Sequence, residues 1–129
     1  MPSHIVLIVV VIAVSLSGCC ALYPCHPVTS IYGNVVSQSS GITIPSAFLS
    51  LYGNKFSSSQ NGCFKFYSAD AIPLVLNASA NEFKPVESPA EAGFYNVTIS
   101  LAPKTSGSAS IINWSSVSEE EFNSAPPCN

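Results

Sequence analysis

The chain contains no arginine, and its four basic residues are all lysine. Arginine is the side chain that proteins favour for bidentate contacts with carboxylates, phosphates and guanine edges. Only 9% of the residues are charged, and the net charge is −3. Because affinity for a nucleic-acid backbone comes from neutralising its phosphates, we expect no nucleic-acid partner.

Histidine and aspartate, on which many catalytic sites depend, are nearly absent. The two histidines are His4 and His26, and the only aspartate is Asp70. His26 lies in a Pro-Cys-His-Pro segment ahead of the first predicted strand, so no Ser-His-Asp set can be argued. The glutamates fall in a proline-rich stretch at residues 82–91 and in a run at residues 119–121, where we expect solvated acids. The sequence therefore predicts no catalytic residue, no enzymatic activity and no cofactor.

The N-terminus carries a continuous apolar stretch at residues 5–16, interrupted only by Ser15. This stretch is shorter than the roughly 20 residues that a membrane-spanning helix needs, and it has the length of a signal-peptide core. The four residues before it contain no lysine or arginine, although signal peptides normally carry positive charge there. We predict that the chain is exported.

The apolar stretch ends in Leu16-Ser17-Gly18-Cys19, which resembles the lipobox of bacterial lipoproteins. In that family the signal peptidase cuts just before the cysteine, whose thiol carries a diacylglyceryl group. The resemblance implies a signal peptide at residues 1–18 and a lipid-bearing Cys19, with palmitate-type acyl chains holding the protein to a membrane of the cell envelope on its extracytoplasmic side. The alternative is an ordinary signal cut near Ala21, which would give a freely secreted protein.

Four cysteines remain beside Cys19, namely Cys20, Cys25, Cys63 and Cys128. In an exported chain disulfides are the default, and four cysteines allow three connectivities. We predict a bond from Cys128 to Cys63, or otherwise to Cys25, because the serine-rich tail would fray without a tether although it holds large apolar residues. A metal site built from Cys25, His26, Cys63 and Cys128 lacks the paired spacing of zinc modules, so we expect no metal.

Residues 29–103 alternate short apolar runs with turn signals, which predicts an all-β fold. The last run, residues 95–101, alternates strictly and should place Val97, Ile99 and Leu101 in the core. Asn61-Gly62 is the dipeptide best suited to the positive φ angles of a tight hairpin, so we predict a hairpin there. Beyond the strands, Ser118 and Glu121 have the spacing of a capping box, which predicts one helical turn in the tail.

The order of these signals resembles a carboxypeptidase regulatory-like domain. The matching residues are, in order, Gly33-x-Val35, Ser40-Gly41, Pro45-Ser46-Ala47-x-Leu49-x-Leu51, Asn61-Gly62-x-Phe64, Leu76-x-Ala78-Ser79-Ala80, Phe83-x-Pro85 and Val97-x-Ile99-x-Leu101-x-Pro103. The resemblance implies a transthyretin-like Greek-key β-sandwich of about seven strands that acts as an accessory module without catalysis. It divides the chain into the signal peptide, a linker at residues 19–28, the domain at residues 29–103 and a serine-rich tail at residues 104–129.

Four aromatic residues share the outward parity of their predicted strands: Tyr32, Phe48, Tyr52 and Tyr67. A row of outward rings could stack against sugars, or the tail, with Ile111, Ile112 and Trp114, could lie over them. The sequence thus predicts a membrane-anchored extracytoplasmic lipoprotein with a non-catalytic β-sandwich, which has a structural role or binds another envelope protein. The alternative is a carbohydrate-binding module in which these aromatics contact a glycan.

Overall fold

A computed structural model describes residues 29–51, 54–67 and 74–128. The predictions for the leader, Cys19, Cys20, Cys25, His26 and Tyr52 lie outside these residues. Within the described residues, no helix has both the length and the apolar character needed to cross a membrane.

The described chain is a β-sandwich of two four-stranded sheets with one short helix. Sheet A has the strand order β4-β1-β7-β8, and sheet B has the order β3-β2-β5-β6. The elements are β1 Thr29–Ser37, β2 Phe48–Leu51, β3 Asn54–Ser57, β4 Cys63–Tyr67, β5 Leu74–Ser79, β6 Val86–Ala90, β7 Gly93–Leu101, β8 Ile111–Val117 and α1 Glu119–Ser124. The all-β prediction is confirmed.

The core lies between the two sheets and follows the period-two pattern of the strands. In β7, Val97, Ile99 and Leu101 are fully buried, whereas Asn96 and Thr98 are exposed, as predicted. Sheet B contributes Leu49 and Leu51 of β2 from the opposite side. The other large buried core residues are Ile31, Val35, Ile44, Phe64 and Leu76. Burial of the inward-facing apolar residues between the two sheets is the main stabilising contribution.

At each side of the sandwich, an aromatic side chain of one edge strand contacts the edge strand of the other sheet. On one side, Phe56 of β3 stacks on Phe66 of β4 with ring centroids 4.4 Å apart. On the other side, the indole Nε1 of Trp114 donates a hydrogen bond of 3.0 Å to the hydroxyl of Ser88. These contacts link the edge strands of one sheet to those of the other.

The predicted hairpin at Asn61-Gly62 is wrong, although the backbone angle on which it was based is present. Gly62 has a φ of +73°, but β3 pairs with β2 in sheet B and β4 pairs with β1 in sheet A. The turn therefore carries the chain from one sheet to the other. The amide of Val35 donates to the carbonyl of Gly62 at 2.8 Å, which holds the crossing against β1.

Two strands occur where the sequence predicted none. Strand β6 lies in the proline-rich stretch, and it tolerates Pro89 because it is the edge strand of sheet B. Strand β8 lies in the predicted tail and pairs with β7 along seven residue pairs from Phe94↔Val117 to Ser100↔Ile111. The sandwich therefore has eight strands and continues past residue 103.

Candidate binding surface

The outer face of sheet A is partly covered by helix α1, which follows β8. Phe122 of this helix is fully buried, with 0% of its surface exposed. Its ring lies 5.7 Å from the ring of Tyr32, 4.9 Å from that of Tyr67 and 5.5 Å from that of Phe94. The contacts with Tyr32 and Tyr67 are edge-to-face, an arrangement that is favourable for aromatic pairs. Helix α1 is thus packed on sheet A through a single aromatic side chain, that of Phe122.

The start of α1 is capped as the sequence predicted. The hydroxyl of Ser118 accepts a hydrogen bond of 3.0 Å from the amide of Glu121. Three glutamates occupy the first turn, where negative charge is favoured by the helix dipole. Burial raises the pKa of the nearby Tyr32 hydroxyl, and the negative charge of Glu121 raises it further.

The end of α1 is held to sheet A by one side chain and one covalent bond. Lys65 of β4 donates from Nζ to the carbonyl of Ala125 at 2.9 Å, and the same Nζ lies 4.9 Å from the centroid of the Phe122 ring. A disulfide joins Cys63 to Cys128, with their Cα atoms 5.8 Å apart. This bond confirms the predicted tether of the tail. It also withdraws both cysteines from the metal site considered for the sequence, because a disulfide sulfur is not a thiolate ligand.

The predicted row of outward aromatics is wrong, because its three described members lie on opposite faces of the sandwich. Tyr32 and Tyr67 are on the outer face of sheet A, beside Phe122. Phe48 is on the outer face of sheet B. The tail does contact the two tyrosines, but through Phe122. Of the tail residues expected to cover the rings, Ile112 and Trp114 instead pack against the core and Ile111 is exposed.

The outer face of sheet B carries a groove of about 560 Å³. All four strands of the sheet contribute to its lining. Phe48 is its one exposed aromatic residue, with 61% of its surface accessible. The outward-pointing polar residues that line it are Ser50, Lys55, Ser57, Asn77, Ser79 and Glu87. The groove therefore combines one flat apolar ring with short hydroxyl and amide side chains.

The strand register arranges these residues in two parallel rows across the sheet. One row crosses from Lys55 through Ser50 and Asn77 to Glu87, as successive residue pairs of β3, β2, β5 and β6. The second row places Phe48 between two serines, Ser57 on β3 and Ser79 on β5. The rows are two residues apart, or about 7 Å along the strands. Lys55 and Glu87 mark opposite edges of the groove, three strand spacings or about 14 Å apart.

Sequence reasoning found Phe48 but missed the polar part of this groove. The outward positions of Ser50 and Asn77 follow from the alternation of β2 and β5 about their buried neighbours. Glu87 lies in the proline-rich stretch for which the sequence predicts no strand, and Lys55 lies on a short strand with no buried alternation. Only the pairing of β2 with β3 and β5, and of β5 with β6, brings the four strands side by side.

Comparison with known proteins identifies no family for the chain. No protein-family model matches it, and no curated protein is significantly similar to it. A crystal structure from Bacteroides fragilis, described as a candidate membrane-associated protein of unknown function, aligns with a TM-score of 0.45 and 16% identity. The alignment covers 62% of this chain and 29% of the other, so the chain spans less than a third of that protein's length. At this level of similarity the match carries no information about function.

Proposed function

We propose that this protein is an extracytoplasmic lipoprotein, anchored to a membrane of the cell envelope through Cys19, whose β-sandwich is a non-catalytic binding module. The observation that carries the proposal is the difference between the two outer faces. In the part of the chain that the structure describes, the tail packs on sheet A through Phe122, whereas sheet B carries a groove. A sandwich whose tail packs on part of one face and whose other face carries a groove is suited to presenting that groove to a ligand.

The disulfide supports the extracytoplasmic location. Cys63 and Cys128 are separated by 65 residues in sequence and are brought together by the packing of the tail on β4. Structural disulfides of this kind persist in oxidising compartments and are rare in the cytosol. Together with the apolar leader, the bond favours an exported protein over a cytoplasmic one.

The composition of the groove supports binding over catalysis. Its charged side chains are one lysine and one glutamate at opposite edges, with serines and an amide between them. Acid–base and nucleophilic catalysis require such groups to converge on one reacting atom. The backbones of Lys55 and Glu87 lie three strand spacings apart, about 14 Å, and this separation favours a binding surface over a catalytic pair.

We also propose that the sandwich is a transthyretin-like Greek-key domain related to the carboxypeptidase regulatory-like modules. The strand order supports this proposal, since β1 and β7 are parallel neighbours at the centre of sheet A while the other strand pairs are antiparallel. The chain passes between the sheets after β1, β3, β4 and β6, which requires the crossovers of a Greek-key fold.

The anchor is tested by expressing the full chain with its leader and following a fatty-acid label into the protein. We expect the label to appear in the wild type and in Cys20→Ser, the matched control at the adjacent cysteine. Cys19→Ser should remain unlabelled and uncut, because it lacks the thiol that receives the lipid. A mature N-terminus at Leu22 without lipid would contradict the anchor and leave a secreted protein.

A further inference from the structure

We infer that the groove on sheet B binds an uncharged, hydroxyl-rich carbohydrate, lying across the strands with one sugar ring on the Phe48 side chain. The inference rests on the proposed binding role of the open face and names the class of ligand. It differs from the row of four aromatics expected from the sequence, because Phe48 alone of the described members lines the groove.

The position of Phe48 favours a ligand with a flat apolar surface. Its ring is 61% exposed and stands between Ser57 and Ser79 on the neighbouring strands. A sugar ring presents C–H groups on one face and hydroxyls around its rim. The negative face of an aromatic ring attracts such C–H groups, and the two flanking serines are placed to meet the rim.

The row from Lys55 to Glu87 matches the hydrogen-bonding needs of hydroxyl groups. A sugar hydroxyl both donates and accepts, and so do the hydroxyl of Ser50 and the amide of Asn77, while Lys55 donates and Glu87 accepts. The row spans about 14 Å, which is the width of a short oligosaccharide and more than a single sugar requires. We therefore expect a chain of sugars rather than a monosaccharide.

The charges of the groove favour a neutral ligand. One positive and one negative side chain lie at opposite edges, so the surface offers no net charge to an acidic or basic polymer. An acidic ligand that gained a contact with Lys55 would meet repulsion at Glu87 if it spanned the row. A neutral oligosaccharide can hydrogen-bond to both ends without paying for an uncompensated charge.

A protein partner is a weaker candidate for the same groove. The centres of protein interfaces are enriched in aromatic residues, methionine and arginine. Here a single phenylalanine is surrounded by serines, an amide, a lysine and a glutamate, and the chain has no arginine. Such a surface has few of the side chains that contribute most to protein affinity.

The test uses the full mature chain in a zwitterionic detergent that has no sugar headgroup, since sugar detergents would compete for the groove. Neutral linear oligosaccharides form one arm of a glycan array, and uronate-containing and amino-sugar oligosaccharides form the other two. Affinities of the bound glycans are then measured by titration calorimetry. We expect binding in the neutral arm, weakened at least tenfold by Phe48→Ala and largely retained by Phe48→Trp.

A matched pair of amides separates the groove from the rest of the surface. Asn77→Ala removes a polar group in the groove, whereas Asn113→Ala removes an exposed amide on the outer face of sheet A. We expect at least about a tenfold loss of affinity for the first and no change for the second, with both variants unfolding at the wild-type temperature.

Three results would overturn the inference. The first is that no neutral oligosaccharide binds with a Kd below about 1 mM, and the second is that binding is confined to the charged arms. The third is that the Asn77→Ala and Asn113→Ala variants bind the glycan with equal affinity. Any of these in a protein that still carries lipid on Cys19 would refute the carbohydrate ligand alone. A protein that binds the neutral arm but carries no lipid would refute the anchor of the proposed function and leave the carbohydrate site standing.

Discussion

A single added methyl group at Gly33 should disrupt the centre of sheet A. Gly33 lies on β1, opposite Phe64 of β4 and in parallel register with Val97 of β7. A Cβ built on this glycine would lie 1.7 Å from the carbonyl oxygen of Val97 and 2.7 Å from its carbonyl carbon. Both atoms belong to the backbone, so no side-chain rotation can relieve the overlap.

Relief of this overlap requires β1 and β7 to move apart by about 1.5 Å or more, given that carbon atoms make optimal contacts at about 3.5–4.0 Å. The two strands pair along nine residues, from Thr29↔Gly93 to Ser37↔Leu101, and Val97 is fully buried. Overpacking a core costs about 1–3 kcal/mol when side chains can adjust. Because the backbone must move here, we expect Gly33→Ala to lower the free energy of unfolding by about 3 kcal/mol or more.

Urea unfolding measures this loss, with fluorescence of Trp114, the only tryptophan, as the reporter. With a slope of about 1.5 kcal/mol per molar urea, a loss of about 3 kcal/mol moves the midpoint down by about 2 M. Gly107→Ala is the matched control, because a Cβ there has no heavy atom within 4 Å. The control should unfold within about 0.5 kcal/mol of the wild type or be slightly more stable. If both alanine variants unfold at the wild-type midpoint, the close approach of β1 and β7 is refuted.

Three further variants test the sheet crossing, the docked helix and the tether. Gly62→Val should lower the free energy of unfolding by about 1–3 kcal/mol more than Gly41→Val does, measured by thermal or urea unfolding. Both glycines have a φ of +73°, but only a Cβ at Gly62 would meet the Thr43 side chain, at 2.6 Å. Equal losses in the two variants would contradict this packing. Phe122→Ala should lower the free energy of unfolding by about 3 kcal/mol, and Phe48→Ala should lower it by less than about 0.5 kcal/mol. The ring of Phe122 is fully buried, whereas that of Phe48 is mostly exposed. Similar losses in the two variants would show that α1 is not docked on sheet A. Cys128→Ser should lower the free energy of unfolding by about 4 kcal/mol, the value of the chain-entropy model for a loop of 65 residues. The loss is measured by comparing the unfolding of the variant with that of the oxidised wild type. A free Cys128 thiol in protein taken from the cell envelope would contradict the tether.

The inward and outward faces of most strands were determined by the sequence alone. Alternation in β7 placed Val97, Ile99 and Leu101 in the core, and all three are fully buried. The positive φ of Gly62 was also predictable, since glycine tolerates that backbone region without steric cost. These features are local: they depend on the two-residue period of a strand and on the absence of a Cβ.

The position of each strand within the two sheets was decided only by the tertiary structure. Both sheets present apolar residues to the same core, so alternation cannot tell which sheet a strand joins. For this reason Tyr32 and Phe48, which share an outward parity, lie on opposite faces, and the turn at Gly62 crosses between sheets. Hydrogen bonding between strands uses backbone groups that every residue except proline carries, and it leaves little trace in the sequence.

The docking of α1 on sheet A and the groove on sheet B likewise depend on long-range contacts. The capping spacing of Ser118 and Glu121 predicted the helical turn, but a six-residue helix with one buried aromatic has no period that shows where it docks. Its position is set by Phe122 packing between distant rings and by the bond from Cys63 to Cys128. The groove on sheet B needs four strands side by side in register before its lining residues become neighbours.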